Sequence, residues 1–243
     1  MICVRKTGGE VSTRLIVVLT IVGVLIVAAV PLGFYVYPSI KQLFAKPEQL
    51  EIIFEEDFES GELATEWKSW NRNQISIDGK IKRGGNYSCR MSGGMGSMGS
   101  SGIRRSCDSR LPVVIEFDCY NGIEPFNRNA HDGKGIVVLF QTGGGSHYWL
   151  FSFHKPGSIA LGWVPDKKVE WKAGRWYHVR LKIELVEKKL FVNGDVSGRS
   201  YKKELSNAYD WMKKWENVDF SFSCGTGTAY FDNIRIYQAV KDD

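Results

Sequence analysis

Residues 174–194 read GRWYHVRLKIELVEKKLFVNG. From Trp176 onward two sets of side chains alternate. Trp176, His178, Arg180, Lys182 and Glu184 fall on one face, and Tyr177, Val179, Leu181 and Ile183 on the other. A period of two marks a strand, because successive side chains leave a pleated backbone in opposite directions. One face is apolar and the other largely charged, so the strand is half-buried in an antiparallel sheet. Glu187-Lys188 interrupts the pattern and Lys189–Val192 resumes it, which predicts a hairpin with Asn193-Gly194 closing its far end.

The same signal recurs on both sides of this hairpin. Strand-like runs occupy Ile52–Phe54, Gln74–Ile77, Val113–Tyr120, Ile136–Phe140, Tyr148–Phe153, Ile159–Trp163, Val218–Cys224 and Ala229–Tyr237. Asp78-Gly79, Gly84-Gly85 and Asn121-Gly122 punctuate them as turns. In Val113–Tyr120, Val113, Ile115, Phe117 and Cys119 point one way while Glu116, Asp118 and Tyr120 point the other. Many short strands at such spacing predict an all-β sandwich or barrel rather than βαβ units. The clearest helical stretch is Ser206–Trp215, short and peripheral. The chain is 13% aromatic, with eight Trp, ten Tyr and thirteen Phe, a richness that suits pleated sheets.

The N-terminal part has a different character. Leu15 to Tyr37, LIVVLTIVGVLIVAAVPLGFYVY, is 23 residues without a charge. At about 1.5 Å of rise per residue a helix of that length crosses a hydrocarbon core of about 30 Å. The expected organisation is a cytoplasmic tail over 1–14, a transmembrane helix over 15–37, a stalk over 38–50 broken by Pro38 and Pro47, and one domain over 51–243. Three basic residues precede the span (Arg5, Lys6, Arg14) and two follow it closely (Lys41, Lys46), a small positive-inside bias that points the domain outward. A signal peptide cut near Ala28 or Ala29, and a prepilin-like leader before Glu10, are the alternative readings of this segment. The net charge is +5, and beyond the tail 29 basic residues face 26 acidic ones. Such balance gives no support for a nucleic-acid footprint, which needs a concentrated basic stripe.

Three segments, taken in order, resemble the concanavalin A-like and laminin-G-like jelly rolls: FEEDFESGELATEW (54–67), GRWYHVRLKIE (174–184) with LFVNG (190–194), and AYFDNIRIY (229–237). The resemblance implies two stacked antiparallel sheets. It also implies the company of lectins, adhesion modules, sugar-binding modules and glycoside hydrolases. The resemblance further implies that the first and last strands lie side by side with a structural calcium ion joining them; Asp57 and Asp232 are the ligands so implied, with hydrogen bonding to turn amides as the alternative. Glu116 and Asp118, at i and i+2 of one strand, project together as the carboxylates of a retaining glycosidase do. The laminarinase-type pattern requires a further glutamate, and Cys119, Tyr120 and Asn121 stand in its place.

Cys89, Cys107, Cys119 and Cys224 make an even set in a domain read as extracytoplasmic. The expected pairs are Cys89 with Cys107, closing the Gly- and Ser-rich loop Ser92–Gly102, and Cys119 with Cys224; free buried thiols are the alternative. No CxxC spacing for zinc, HExxH or GxSxG occurs. Asn86-Tyr87-Ser88 is a glycosylation sequon. Aromatic rings stack on the apolar faces of pyranoses, and strand alternation places Tyr148 and His154 on one face and Trp149, Phe151 and Phe153 on an all-aromatic core face. Tyr148, His154, Trp163 and Trp171 are therefore the expected ligand contacts, and Trp176 is structural. The sequence thus predicts a jelly-roll module that is anchored to the cell membrane, displayed outside it, non-catalytic and carbohydrate-binding. A glycoside hydrolase using Glu116 and Asp118, and a surface or pilus-associated structural protein, are the alternatives.

Overall fold

The computed structural model describes residues 49–94, 100–108, 111–122, 135–141, 147–153, 159–162, 164–166, 171–187, 189–205 and 218–240. The expected tail, membrane span and most of the stalk lie outside the described residues, as do His154, Trp163 and the helix expected over Ser206–Trp215. The described fold begins at Gln49, and its strands are β1 (Leu50–Glu56), β2 (Lys68–Trp70), β3 (Ile75–Asp78), β4 (Ser88–Gly93), β5 (Ser101–Cys107), β6 (Val113–Asn121), β7 (Ile136–Gln141), β8 (His147–Phe153), β9 (Ile159–Leu161), β10 (Val164–Asp166), β11 (Trp176–Val186), β12 (Lys189–Val196), β13 (Arg199–Leu205), β14 (Val218–Cys224) and β15 (Gly227–Ala239).

They form two antiparallel sheets. The eight-stranded sheet runs β13-β12-β11-β6-β15-β4-β3, with β1 added to β15, and the seven-stranded sheet runs β10-β9-β8-β7-β14-β5-β2. β15 is long enough to serve two neighbours on one edge, β4 along Gly227–Phe231 and β1 along Ile234–Ala239. The inward faces meet in a core of buried aromatics. Phe117 packs edge-on against Phe222 at 5.4 Å and Phe151 at 5.9 Å, and Phe222 packs on Phe231 at 5.6 Å. The opening segment closes this core: Phe54, Phe58 and Trp67 are buried, and Glu56 accepts hydrogen bonds from the Trp67 indole and the Phe58 amide, both at 2.9 Å.

Two expectations change here. Asn193-Gly194 is not a turn but the middle of β12, and the chain turns from β12 into β13 at Ser197-Gly198. A Cβ on Gly194 would stand 3.2 Å from Leu161 and 3.3 Å from Leu181, so the glycine makes room for side chains of both sheets. The disulfide pairs are not formed; Cys89, Cys107, Cys119 and Cys224 are all free and buried. Each expected pair takes one cysteine from each sheet. Stacked sheets lie about 10 Å apart, whereas a bridge spans Cα atoms about 4.4–6.8 Å apart.

Candidate functional site

A groove lies on the outer face of the seven-stranded sheet. It has a volume of about 370 Å³ and is lined by Lys68, Ser69, Trp70, Arg104, Leu139, Gln141 and Ser221. Strand register explains the gathering. Lys68 opposes Arg104 across β2 and β5, Arg104 opposes Ser221 across β5 and β14, and Ser221 opposes Leu139 across β14 and β7. Trp70 opposes Gly102, and a Cβ at that glycine would fall 2.2 Å from the indole. The missing side chain leaves room for the indole over Gly102, where it forms one wall of the groove. The arrangement combines one aromatic surface, one aliphatic one, and amide, hydroxyl and cationic groups that hydrogen-bond. None of these lining residues is among the expected contacts. The signal for Trp70 was weak, because KSW is a three-residue strand with no alternation to read.

A bulge explains why the expected contacts missed this face. β8 pairs with β7 as Val138↔Phe151 and then Leu139↔Trp149, so Leu150 is an extra residue. A one-residue slip reverses every side chain beyond it. Tyr148 consequently turns toward the core and stacks on Phe140, with ring centroids 5.3 Å apart and planes 18° apart. Trp149, assigned to the core by alternation, instead opposes Leu139 on the outer face. Trp171 is only 4% exposed and packs on Phe153 at 5.0 Å, so it is a core ring rather than a platform. Of the four expected contacts, none is thus shown on the outer face, since His154 and Trp163 lie outside the described residues.

Glu116 and Asp118 do project together from β6, but on the outer face of the other sheet. His178 on β11 stands between them, its Nδ1 3.1 Å from Asp118 Oδ1 and its Nε2 3.4 Å from Glu116 Oε1. Arg180 Nε lies 3.8 Å from Glu116 Oε2, Asn233 Nδ2 donates to Asp118 Oδ2 at 3.0 Å, and Arg83 Nε is 3.7 Å from Asp118 Oδ1. All four carboxylate oxygens therefore have partners. Asn233 reaches Asp118 because β15 bulges between Asp232 and Arg235, where Asn233 adopts φ 49°. The cluster ties that bulge to β6 and β11.

Asp57 and Asp232 cap different turns. Asp57 Oδ1 accepts the Glu59 amide at 3.0 Å. Asp232, 1% exposed, accepts the amides of Arg83 (3.0 Å), Gly84 (3.3 Å) and Asn233 (2.8 Å). Burial pushes the Asp232 carboxyl above its ordinary range, the three amides pull it down, and nearby Asp118 pushes it up again. Calcium takes about six to eight oxygen ligands. Among the described residues no group of three or more His, Cys, Asp or Glu side chains converges to hold a metal.

The fold itself is a familiar one. The chain superposes on alginate lyase vAL-1 from a Chlorella virus with a TM-score of 0.54 at 11% identity, over 77% of this chain and 100% of that one. It superposes on winged bean acidic lectin, in complex with methyl-α-D-galactose, with a TM-score of 0.51 at 11% identity, over 80% and 100% of the two chains. A sialidase gives a TM-score of 0.53 at 11% identity, covering 77% of this chain, which spans only 18% of the sialidase. At such identities the likeness is one of architecture alone, a sandwich of two antiparallel sheets. No family model matches the chain, and no curated protein matches it.

Proposed function

We propose that this protein is a membrane-anchored, extracytoplasmic module that binds carbohydrate without transforming it, and that its ligand lies in the groove on the seven-stranded sheet. The observation that carries the reading is the groove's composition. A pyranose offers an apolar C–H face and a rim of hydroxyls. The Trp70 indole and Leu139 suit the first, and Gln141, Ser221 and Ser69 suit the second. The volume falls within the range of about 300–1,000 Å³ usual for small-molecule sites. The sugar complex of the lectin neighbour supports the assignment at the level of fold. The non-catalytic part is supported by the engaged oxygens of Glu116 and Asp118, which stand on the opposite side of the sandwich from the groove. Anchoring is supported by the uncharged stretch over 15–37, and the outward orientation by the flanking charges; free cysteines remove the support that disulfides would have lent.

The test uses the full-length chain in detergent micelles on an array of plant, microbial and mucin-type oligosaccharides. Binding is expected, weakened about tenfold or more by Trp70→Ala, since tenfold corresponds to about 1.4 kcal/mol of lost ring contact. Glu116→Gln should leave it unchanged. Release of reducing sugar from a bound glycan, abolished in Glu116→Gln, would overturn the non-catalytic reading in favour of a glycoside hydrolase.

A further inference from the structure

Resting on that assignment of the groove, we infer that the saccharide it takes is anionic, carrying a carboxylate or a sulfate ester that sits between Lys68 and Arg104. The two cations are direct cross-strand partners on β2 and β5, and both line the cavity. Like charges placed opposite each other in an antiparallel pair repel. Nothing among the described residues relieves this pair. Arg104's other cross-strand neighbour is Ser221, which is neutral, and among the described residues no carboxylate lines the groove. The acid next along β14, Asp219, accepts the Ser106 hydroxyl. Neither Lys68 nor Arg104 has an ion-pair partner among the described residues. Two strand cations on the other sheet are neutralised: Arg180 faces Glu116, and Arg235 binds Glu55 at 2.6 Å. An opposed and unneutralised pair beside an aromatic wall is what an anionic ring would satisfy.

The geometry sets the pose. Trp70 and Lys68 are i+2 and i on one strand and share its outer face, about 6.6–7 Å apart. A sugar ring stacked on the indole therefore directs an acidic substituent at the cations. The guanidinium of Arg104 offers a planar fork for two parallel hydrogen bonds, and the ammonium of Lys68 offers a point charge.

The experiment compares, with the full-length chain in micelles, trigalacturonate, its methyl ester, sialyllactose and a heparin-derived tetrasaccharide against cellotriose, xylotriose and lactose. Binding confined to carboxylated or sulfated members supports the inference, and the member bound tells carboxylate from sulfate. It should weaken with added NaCl and fall about tenfold or more in Arg104→Gln and in Lys68→Gln, with Arg104→Lys restoring part of it. Binding of the neutral sugars or the methyl ester as tightly as the acids, or binding indifferent to Arg104→Gln, overturns the inference and leaves the groove as a carbohydrate site. Binding of no saccharide overturns both readings.

Discussion

Glu59 shows how one side chain can hold a loop that alternation says nothing about. Its carboxylate accepts the amides of Asn86 at 2.8 Å and Tyr87 at 3.0 Å and the Asn86 side-chain amide at 3.1 Å. A Cβ on Gly85 would fall 2.2 Å from Glu59 Oε1, so the loop comes this close only with glycine there, at φ +53°. Those hydrogen bonds, led by the Tyr87 and Asn86 amides, lower the Glu59 carboxyl from its ordinary value. A carboxylate whose folded value is depressed stabilises the fold above its unfolded value, and the contribution is lost as pH falls through the folded one. Glu59→Gln should therefore lower the melting temperature at neutral pH. The gap to the parent should close as the pH is taken below the ordinary glutamate range, which thermal melts across pH 2–7 would show. A gap that persists unchanged at the acid end would mean that the charge is not what the loop uses. In sequence, Glu59 was visible only as one residue of the opening segment whose resemblance marked the fold.

Strands whose two faces differ sharply were legible residue by residue. β11 and β14 have the bounds that alternation gives, because Val179, Leu181 and Ile183, or Phe220 and Phe222, are buried while their neighbours are polar. β2, β4, β5, β10 and β13 gave no such signal. SCRMSG and SGIRRSC carry Ser, Gly and Arg at positions that a strand would fill with apolar groups, so composition read as loop. Gly102 is small because Trp70 lies on it, and Ser101 is buried because its hydroxyl donates to the Ser92 carbonyl at 2.8 Å. These are tertiary reasons, absent from any local pattern, and they are why the groove escaped a reading that found the sandwich. The β11–β12 hairpin offers a test at this scale. Its loop is the two residues between Val186 and Lys189, which pair, and Glu187 stands there at φ 49°. A side chain in the left-handed region costs roughly 1–2 kcal/mol that glycine avoids. Glu187→Gly should raise the urea midpoint, a gain of about 0.5–1 kcal/mol once the looser unfolded chain is allowed for. No gain would mean that the glutamate's own contacts offset its backbone.

Taken whole, the domain keeps four thiols inside a sandwich that is proposed to work outside the membrane. Burial is what makes that combination workable. The Cys107 thiol is pushed up to about 11 and Cys224 to about 12, in both cases chiefly by desolvation, and Cys89 and Cys119 are raised by the same cause. The thiolate is the species that oxidises and exchanges, so at neutral pH these groups present almost none of it. They act as small apolar residues of the buried core. The melting temperature should thus be the same with and without dithiothreitol, whereas loss of a structural disulfide costs about 2–5 kcal/mol. Iodoacetamide added to the native protein should leave Cys89, Cys107, Cys119 and Cys224 unmodified in a peptide map. The same treatment in guanidinium should alkylate all four. A reductant-dependent melt, or a peptide linked through Cys89 and Cys107, would show that the chain closes a bridge and that the two sheets approach more closely there than the sandwich described above.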